Sequence, residues 1–190
     1  MKVYTYNDKV LVNSANDKWL KAADGPAYET VIIGSQEWMV LNTEIDDGGT
    51  GITILNTYST NGTGYFYTFD AAQRIANSIQ GFHIPTESEW NTLITVNGQA
   101  YITAPTLAKT NGDDCIWWDG NGTNTTGFSA IPKGLAYNGS VQSAGWSFNI
   151  WLANGKYGYI FKEEDEPWVA TTIPAYTNQS YTLRLIKDSN

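Results

Sequence analysis

The chain has 190 residues and a net charge of −8; 14% of its residues are aromatic and only 16% are charged, against roughly 25% charged in an average globular protein. That length holds one full-size domain with its own core and a short appendage. The excess of 19 acidic over 11 basic residues excludes the basic footprint of a nucleic-acid binder. No run of about 18 apolar residues is available to span a membrane, and the single cysteine, Cys115, excludes an internal disulfide framework and a multi-thiolate zinc site.

The first eight residues are polar and alternating and lack the apolar stretch of a secretory leader, so folding in the cytoplasm is expected. Residues 3–6, a turn at Asn7-Asp8, residues 10–12, a second turn through Asp17 and then Trp19-Leu20 read as two or three small strands. Asp24-Gly25-Pro26 breaks this pattern as a linker would. So short a piece buries too little surface to be stable alone. It is either the first hairpin of the main fold or an attachment segment, residues 1–24, that docks through Tyr4, Tyr6, Leu11 and Trp19. The main domain is then residues 25–190. It opens with strands at 29–33 and 36–40. Phe69, Ala72, Ala76 and Ile79 recur at helical spacing and predict a helix over 69–78. A second helix starts after Thr86, which with Glu89 forms a capping box, and buries Trp90, Leu93 and Ile94. From Asn97 the chain reads as loops and short strands, closed by a strand at 181–186 that alternates between core and solvent. The expected fold is α+β: two short helices, small antiparallel sheets and long loops.

Few residues point to chemistry. His83 is the only histidine and lies between Phe82 and Ile84 in a segment that reads as architectural. A general base needs a partner that the sequence does not place; burial of His83 without an adjacent carboxylate or open pocket would remove the enzyme reading. Cys115 follows Asp113-Asp114, which disfavours a thiolate, so a buried structural thiol is expected. Asp46-Asp47, Asp113-Asp114 and residues 163–166 are acidic but carry no EF-hand pattern; solvated loop charge is the default, and neither a metal nor a cofactor is expected. Residues 47–51 and 61–64 are Gly-rich without the Lys-Ser/Thr of a phosphate cradle. The Asn-x-Ser/Thr sites at Asn61, Asn121, Asn124, Asn138 and Asn178 read mainly as turns, where Asn tolerates the left-handed conformation.

Several segments resemble a known family. Residues 30–39 (TVIIGSQEWM), 67–72 (YTFDAA), 81–93 (GFHIPTESEWNTL), 121–134 (NGTNTTGFSAIPKG) and 183–188 (LRLIKD) are similar, in that order, to the signatures of the Fibrobacter succinogenes major paralogous domain. The resemblance covers most of residues 29–190. It implies a C-type-lectin-like fold, shared with the variable binding proteins of diversity-generating retroelements. Two departures stand out. The family commonly carries a cysteine before the Gly-Phe-His stretch and another in the closing strand, where this chain has residues 76–80 (ANSIQ) and 184–186 (RLI). Residues 149–153 (NIWLA) replace an aromatic-Trp-Ser-Ser pattern. The calcium tripeptides of sugar-binding C-type lectins are absent.

Aromatic residues interleaved with amides concentrate in the back half of the chain, where the retroelement-diversified relatives bind. Such a mixture gives large contact area at low side-chain entropy, with hydrogen bonds at hand. Trp146, Phe148, Asn149, Asn154, Lys156, Tyr157, Tyr159 and Trp168 are therefore the expected ligand-binding residues, with Tyr157, Tyr159 and Phe161 on one strand face. The expected function is a non-catalytic recognition or display module. A phage virion component (head fibre, tail fibre or capsid decoration) reconciles a surface-recognition fold with cytoplasmic folding. Its partners would be other virion proteins through residues 1–24, a host-surface glycan or protein, and copies of itself, as a trimer. The alternatives are a bacterial cell-surface adhesin or carbohydrate-binding module, a purely structural virion decoration, and an enzyme of the oxidase or hydrolase type.

Overall fold

The computed structural model describes residues 2–6, 9–13, 28–57, 62–112, 115–118 and 120–188. Strands β1 (Lys2–Tyr6) and β2 (Lys9–Asn13) pair antiparallel, with Tyr4 opposite Leu11. This agrees with the expected first two strands. The proposed third strand, with Trp19, lies outside the described residues, as do the side chains of Tyr4, Tyr6 and Leu11.

The main domain opens with β3 (Thr30–Ile33) and β4 (Gln36–Met39), joined by a turn in which Gly34 has φ +62°. Next come the hairpin β5 (Ile52–Thr57) and β6 (Gly62–Tyr67), then helix α1 (Phe69–Asn77). Thr68 caps α1 by accepting from the Ala71 amide, and Ala71, Ala72, Ile75 and Ala76 are buried. Strand β7 (Phe82–His83) leads into helix α2 (Glu87–Ile94). Here the expected capping box is formed: the Thr86 hydroxyl accepts from the Glu89 amide while the Glu89 carboxylate accepts from the Thr86 amide. Trp90, Leu93 and Ile94 are buried as expected.

A third helix, α3 (Ala100–Leu107), corrects the expectation of two. Its sequence hides it. Gln99 provides no side-chain cap, Pro105 lies inside it, and apolar residues surround it without a polar face. Tertiary contact supplies what the sequence lacks. The carbonyls of Pro105, Thr106 and Ala108 accept from the amides of Thr123, Thr126 and Asn124. Gly122 sits so close that a Cβ there would lie 2.0 Å from the Ala108 oxygen.

The remaining strands are β8 (Leu135–Tyr137), β9 (Ser140–Gln142), β10 (Ser147–Trp151), β11 (Lys156–Phe161), β12 (Val169–Pro174), β13 (Gln179–Ser180) and β14 (Ile186–Lys187). The sheets run β10-β11-β12, β13-β8-β9 and β3-β4-β14-β7, every one of these pairings antiparallel. The fold is thus α+β, with three helices and several small antiparallel sheets among the described residues. In none of these residues is a helix long and apolar enough to cross a membrane.

Two apolar clusters form the core. One gathers Trp38, Trp90, Trp117, Phe128, Phe148 and Ile160; the other gathers Tyr67, Ile75, Trp151, Tyr157, Tyr181 and Leu183. The closing segment, residues 181–186, runs between them and is buried throughout. Only Ile186 of it is in a regular strand. The expected alternation between core and solvent is corrected: Tyr181, Leu183 and Leu185 join one cluster, whereas Ile186 joins the other and Arg184 lies over its Phe128 and Phe148 rings. The period of two survives because both faces of the segment are apolar cores. Cys115 is buried, as expected. Asn124 and Asn138 have φ of 50° and 47°, which supports the turn reading at those two sites.

Aromatic rings continue this core outward. Tyr157 stacks on Tyr181 at 4.2 Å, Tyr181 meets Trp151 edge-on at 4.7 Å, and Tyr159 stacks on Phe161 at 5.4 Å. Burial pushes the hydroxyls of Tyr67, Tyr159 and Tyr181 far above the ordinary tyrosine range. An acid whose folded pKa is raised loses its proton first in the unfolded chain, so its stabilisation is present below pH 10 and is lost as pH rises further. Urea midpoints are therefore expected to fall steeply above about pH 10, the ordinary tyrosine value. Tyr159→Phe removes one such group and flattens the decline; an unchanged midpoint from pH 8 to pH 11 would contradict this.

Candidate functional site

The sheet β10-β11-β12 sorts the residues expected to bind. Phe148, Asn149 and Tyr157 are buried, with 1%, 1% and 6% of their surface exposed, and are corrected to core residues. The reason is that β10, which carries Phe148 and Asn149, lies between the two clusters and is buried on both faces, while Tyr157 of β11 stacks on Tyr181 inside one of them. Tyr157, Tyr159 and Phe161 do share a face, as their successive ring contacts show. Of the aromatic residues expected at the surface, Trp146, Tyr159 and Trp168 are half-buried. Trp168 packs edge-on against Trp117 at 5.0 Å.

Asn154 and Lys156 are accessible but already engaged. Lys156 Nζ lies 2.9 Å from both oxygens of Glu87, and Asn154 Nδ2 and Thr172 Oγ1 donate to the same carboxylate at 2.8 and 2.9 Å. The hydrogen bond from Lys156 leads the causes that hold the Glu87 carboxyl below its ordinary range. These contacts fasten α2 to the sheet and leave Glu87 no free acceptor directed outward.

Trp146 is the residue that leads to an open site. Together with Trp118, Phe161, Gln142, Ser143 and Glu163 it lines a surface groove of about 410 Å³. The indoles of Trp118 and Trp146 meet at 5.5 Å and 80°, nearly perpendicular. Trp118 is 53% exposed. Its amide donates to the Gly145 carbonyl at 2.9 Å, and its ring rests on Gly145, where a Cβ would come within 2.7 Å of the indole. Gly145 also has φ +86°, a conformation that glycine adopts without penalty. One face of Trp118 is thus seated on backbone and the other is open. Phe161 ends β11, and Glu163 follows in a loop that Lys162 pins by donating to the carbonyls of Glu163 and Glu166 at 2.6 and 2.7 Å.

The groove presents aromatic surface, an amide, a hydroxyl and one carboxylate. Among the described residues it is lined by no histidine, cysteine, lysine or arginine. Sequence reasoning reached Trp146 but missed Trp118, Gln142, Ser143, Phe161 and Glu163. Trp118 lies 28 positions before Trp146 in the chain, and the two meet through the Trp118–Gly145 hydrogen bond and the seat of the Trp118 ring on Gly145.

His83 differs from expectation in its surroundings. It is half-buried, with Nδ1 2.7 Å from Asp188 and Nε2 3.0 and 3.1 Å from the two oxygens of Glu89. Two carboxylates therefore flank it, neither of which the sequence could place. Burial raises the Glu89 carboxyl, but the hydrogen bonds from Thr86 and His83 outweigh it and the net direction is down. Because Glu89 is also the capping-box residue, His83 ties the start of α2 to the end of the chain. Among the described residues, no group of three or more His, Cys, Asp and Glu side chains is placed to hold a metal.

A family model, the Fibrobacter succinogenes major domain, matches residues 31–187. The chain belongs to this family. The major-domain signatures fall on the structure in the order read from the sequence: the β3-β4 hairpin, α1, the His83–Glu89 latch with α2, the 121–134 loop against α3, and β14. No curated protein and no solved structure matches the chain.

Proposed function

We propose that this major-domain protein is a non-catalytic recognition module and that the Trp118–Trp146 groove is where it holds its ligand on a glycan or protein surface. The observation that carries the reading is the groove itself: an open indole face, a perpendicular second indole and free polar groups at the rim, with no basic side chain among the described residues of the lining. Exposed Trp is the residue type most enriched where binding energy concentrates. The C-type-lectin-like fold is part of the same proposal; early helices followed by short strands and long loops support it.

The test is binding of the purified chain to host-envelope fractions and to a glycan array. Trp118→Ala and Trp146→Ala are each expected to weaken binding about 10- to 30-fold, the loss typical of a central aromatic contact. Because Trp118 is largely exposed, its replacement is expected to leave the melting temperature nearly unchanged. Full binding by both variants would remove the groove from the proposal. Display on a phage particle is a separate proposal, checked by searching purified virions for the chain; recovery from a bacterial outer surface would favour the adhesin instead.

A further inference from the structure

We propose that the groove takes an uncharged pyranose of a glycan, an inference that rests on reading the groove as the ligand site. Size is the first argument. Its volume of about 410 Å³ falls in the range of small-ligand sites, roughly 300–1,000 Å³. A protein partner needs a broad face of about 800 Å² on each side.

Shape is the second. Gly145 occupies one face of Trp118, so a ligand meets only the other. Trp146 stands nearly perpendicular to it, its ring centroid 5.5 Å away. An indole with a second indole set across it in a groove of this size suits a single ring. The ligand must be apolar where it faces the indole and polar around its edge. A pyranose has this division: axial C–H groups on a face and hydroxyls along the rim.

The rim chemistry is the third. The side chains of Gln142, Ser143 and Glu163 take part in none of the hydrogen bonds of the described residues, although all three are exposed at the groove. An amide, a hydroxyl and a carboxylate together both donate to and accept from hydroxyl groups, the carboxylate acting only as acceptor. Charge then restricts the class. Among the described residues Glu163 is the only ionised one in the lining, and the chain carries −8 overall. Sialic acids, uronic acids and sulfated sugars would meet this field without a compensating cation from those residues.

The experiment uses the whole chain on an array whose glycans are grouped as neutral, sialylated and uronic-acid-terminated, with choline chloride titrated separately as a cationic probe and followed by tryptophan fluorescence. Expected is binding confined to neutral glycans, weakened at least tenfold by Trp118→Ala. Glu163→Gln is expected to weaken neutral binding a few-fold and to admit acid-terminated glycans. Trp118-dependent binding of acidic glycans or of choline by the unaltered chain overturns the neutral-pyranose assignment while the groove stands. Trp118-dependent binding of a host-envelope protein, with the array silent, does the same. Glycan binding that ignores both Trp118→Ala and Trp146→Ala defeats the groove reading itself.

Discussion

Arg184→Ala is expected to destabilise the domain by about 3–5 kcal/mol, the range for disrupting a buried charged network. In a chain of this length that lowers the melting temperature by on the order of 10 °C. Arg184 is fully buried, and no carboxylate of the described residues is among its partners. Its guanidinium lies 4.4 Å from the Phe128 ring centroid and 4.9 Å from that of Phe148. It donates to Asn42 Oδ1 at 2.9 Å, to the Phe128 carbonyl, and to the Ser129 carbonyl at 3.3 Å. Burial pushes its pKa down to about 9, so the group is still a cation at neutral pH. Two aromatic faces and three acceptors take the place of a counter-ion. Alanine leaves those acceptors buried and unpaired, each at a cost of about 1–3 kcal/mol, and opens a void between the rings. Arg184→Lys keeps the charge without the planar fork and is expected to recover only a small part of the loss. Urea unfolding of the two variants measures both effects; an alanine variant as stable as the parent would show that the guanidinium does not brace this core.

Trp90→Ala should cost a similar amount, about 3–5 kcal/mol, as is usual when a buried tryptophan is emptied. Trp90 is fully buried on α2, and its indole N–H donates to the Thr171 carbonyl at 2.8 Å. The ring lies on Gly158 of β11, where a Cβ would come within 2.7 Å of it. Removing the indole therefore separates the helix from the sheet that presents Phe161 to the groove. Trp90→Phe keeps most of the packing and orphans one carbonyl, so roughly 1–2 kcal/mol is expected. Gly158→Ala attacks the same contact from the sheet side: its methyl group would drive the indole out of place. Equilibrium unfolding ranks the three, and a Trp90→Ala loss below that of Trp90→Phe would contradict this account.

The parts of the fold that were legible are those whose determinants lie within a few residues of one another. The capping box of Thr86 and Glu89, the α1 stripe, the β3-β4 turn at Gly34 and the buried Cys115 are of this kind. Helix α3 was not legible, because loop 121–127 supplies the contacts that its own sequence lacks. The candidate site was half legible. Composition pointed to aromatic recognition in the back half, yet Phe148, Asn149 and Tyr157 proved to be core. Alternation along a strand tells which residues share a face but not whether that face meets water. Here β10 has a core on each side.

By itself, then, the sequence determined the family, the α+β class, the first two helices with the capping box that starts the second, and an acidic, aromatic-rich composition. These follow from local spacing, turn chemistry and summed charge, which need no third dimension. Tertiary structure alone decided that the closing segment runs between two cores, that Arg184 is buried against two aromatic rings and backbone carbonyls, that two carboxylates flank His83, and that Trp118 meets Trp146 over Gly145. Each of these joins residues far apart in the chain, and burial depends on what packs against a residue rather than on its neighbours in sequence.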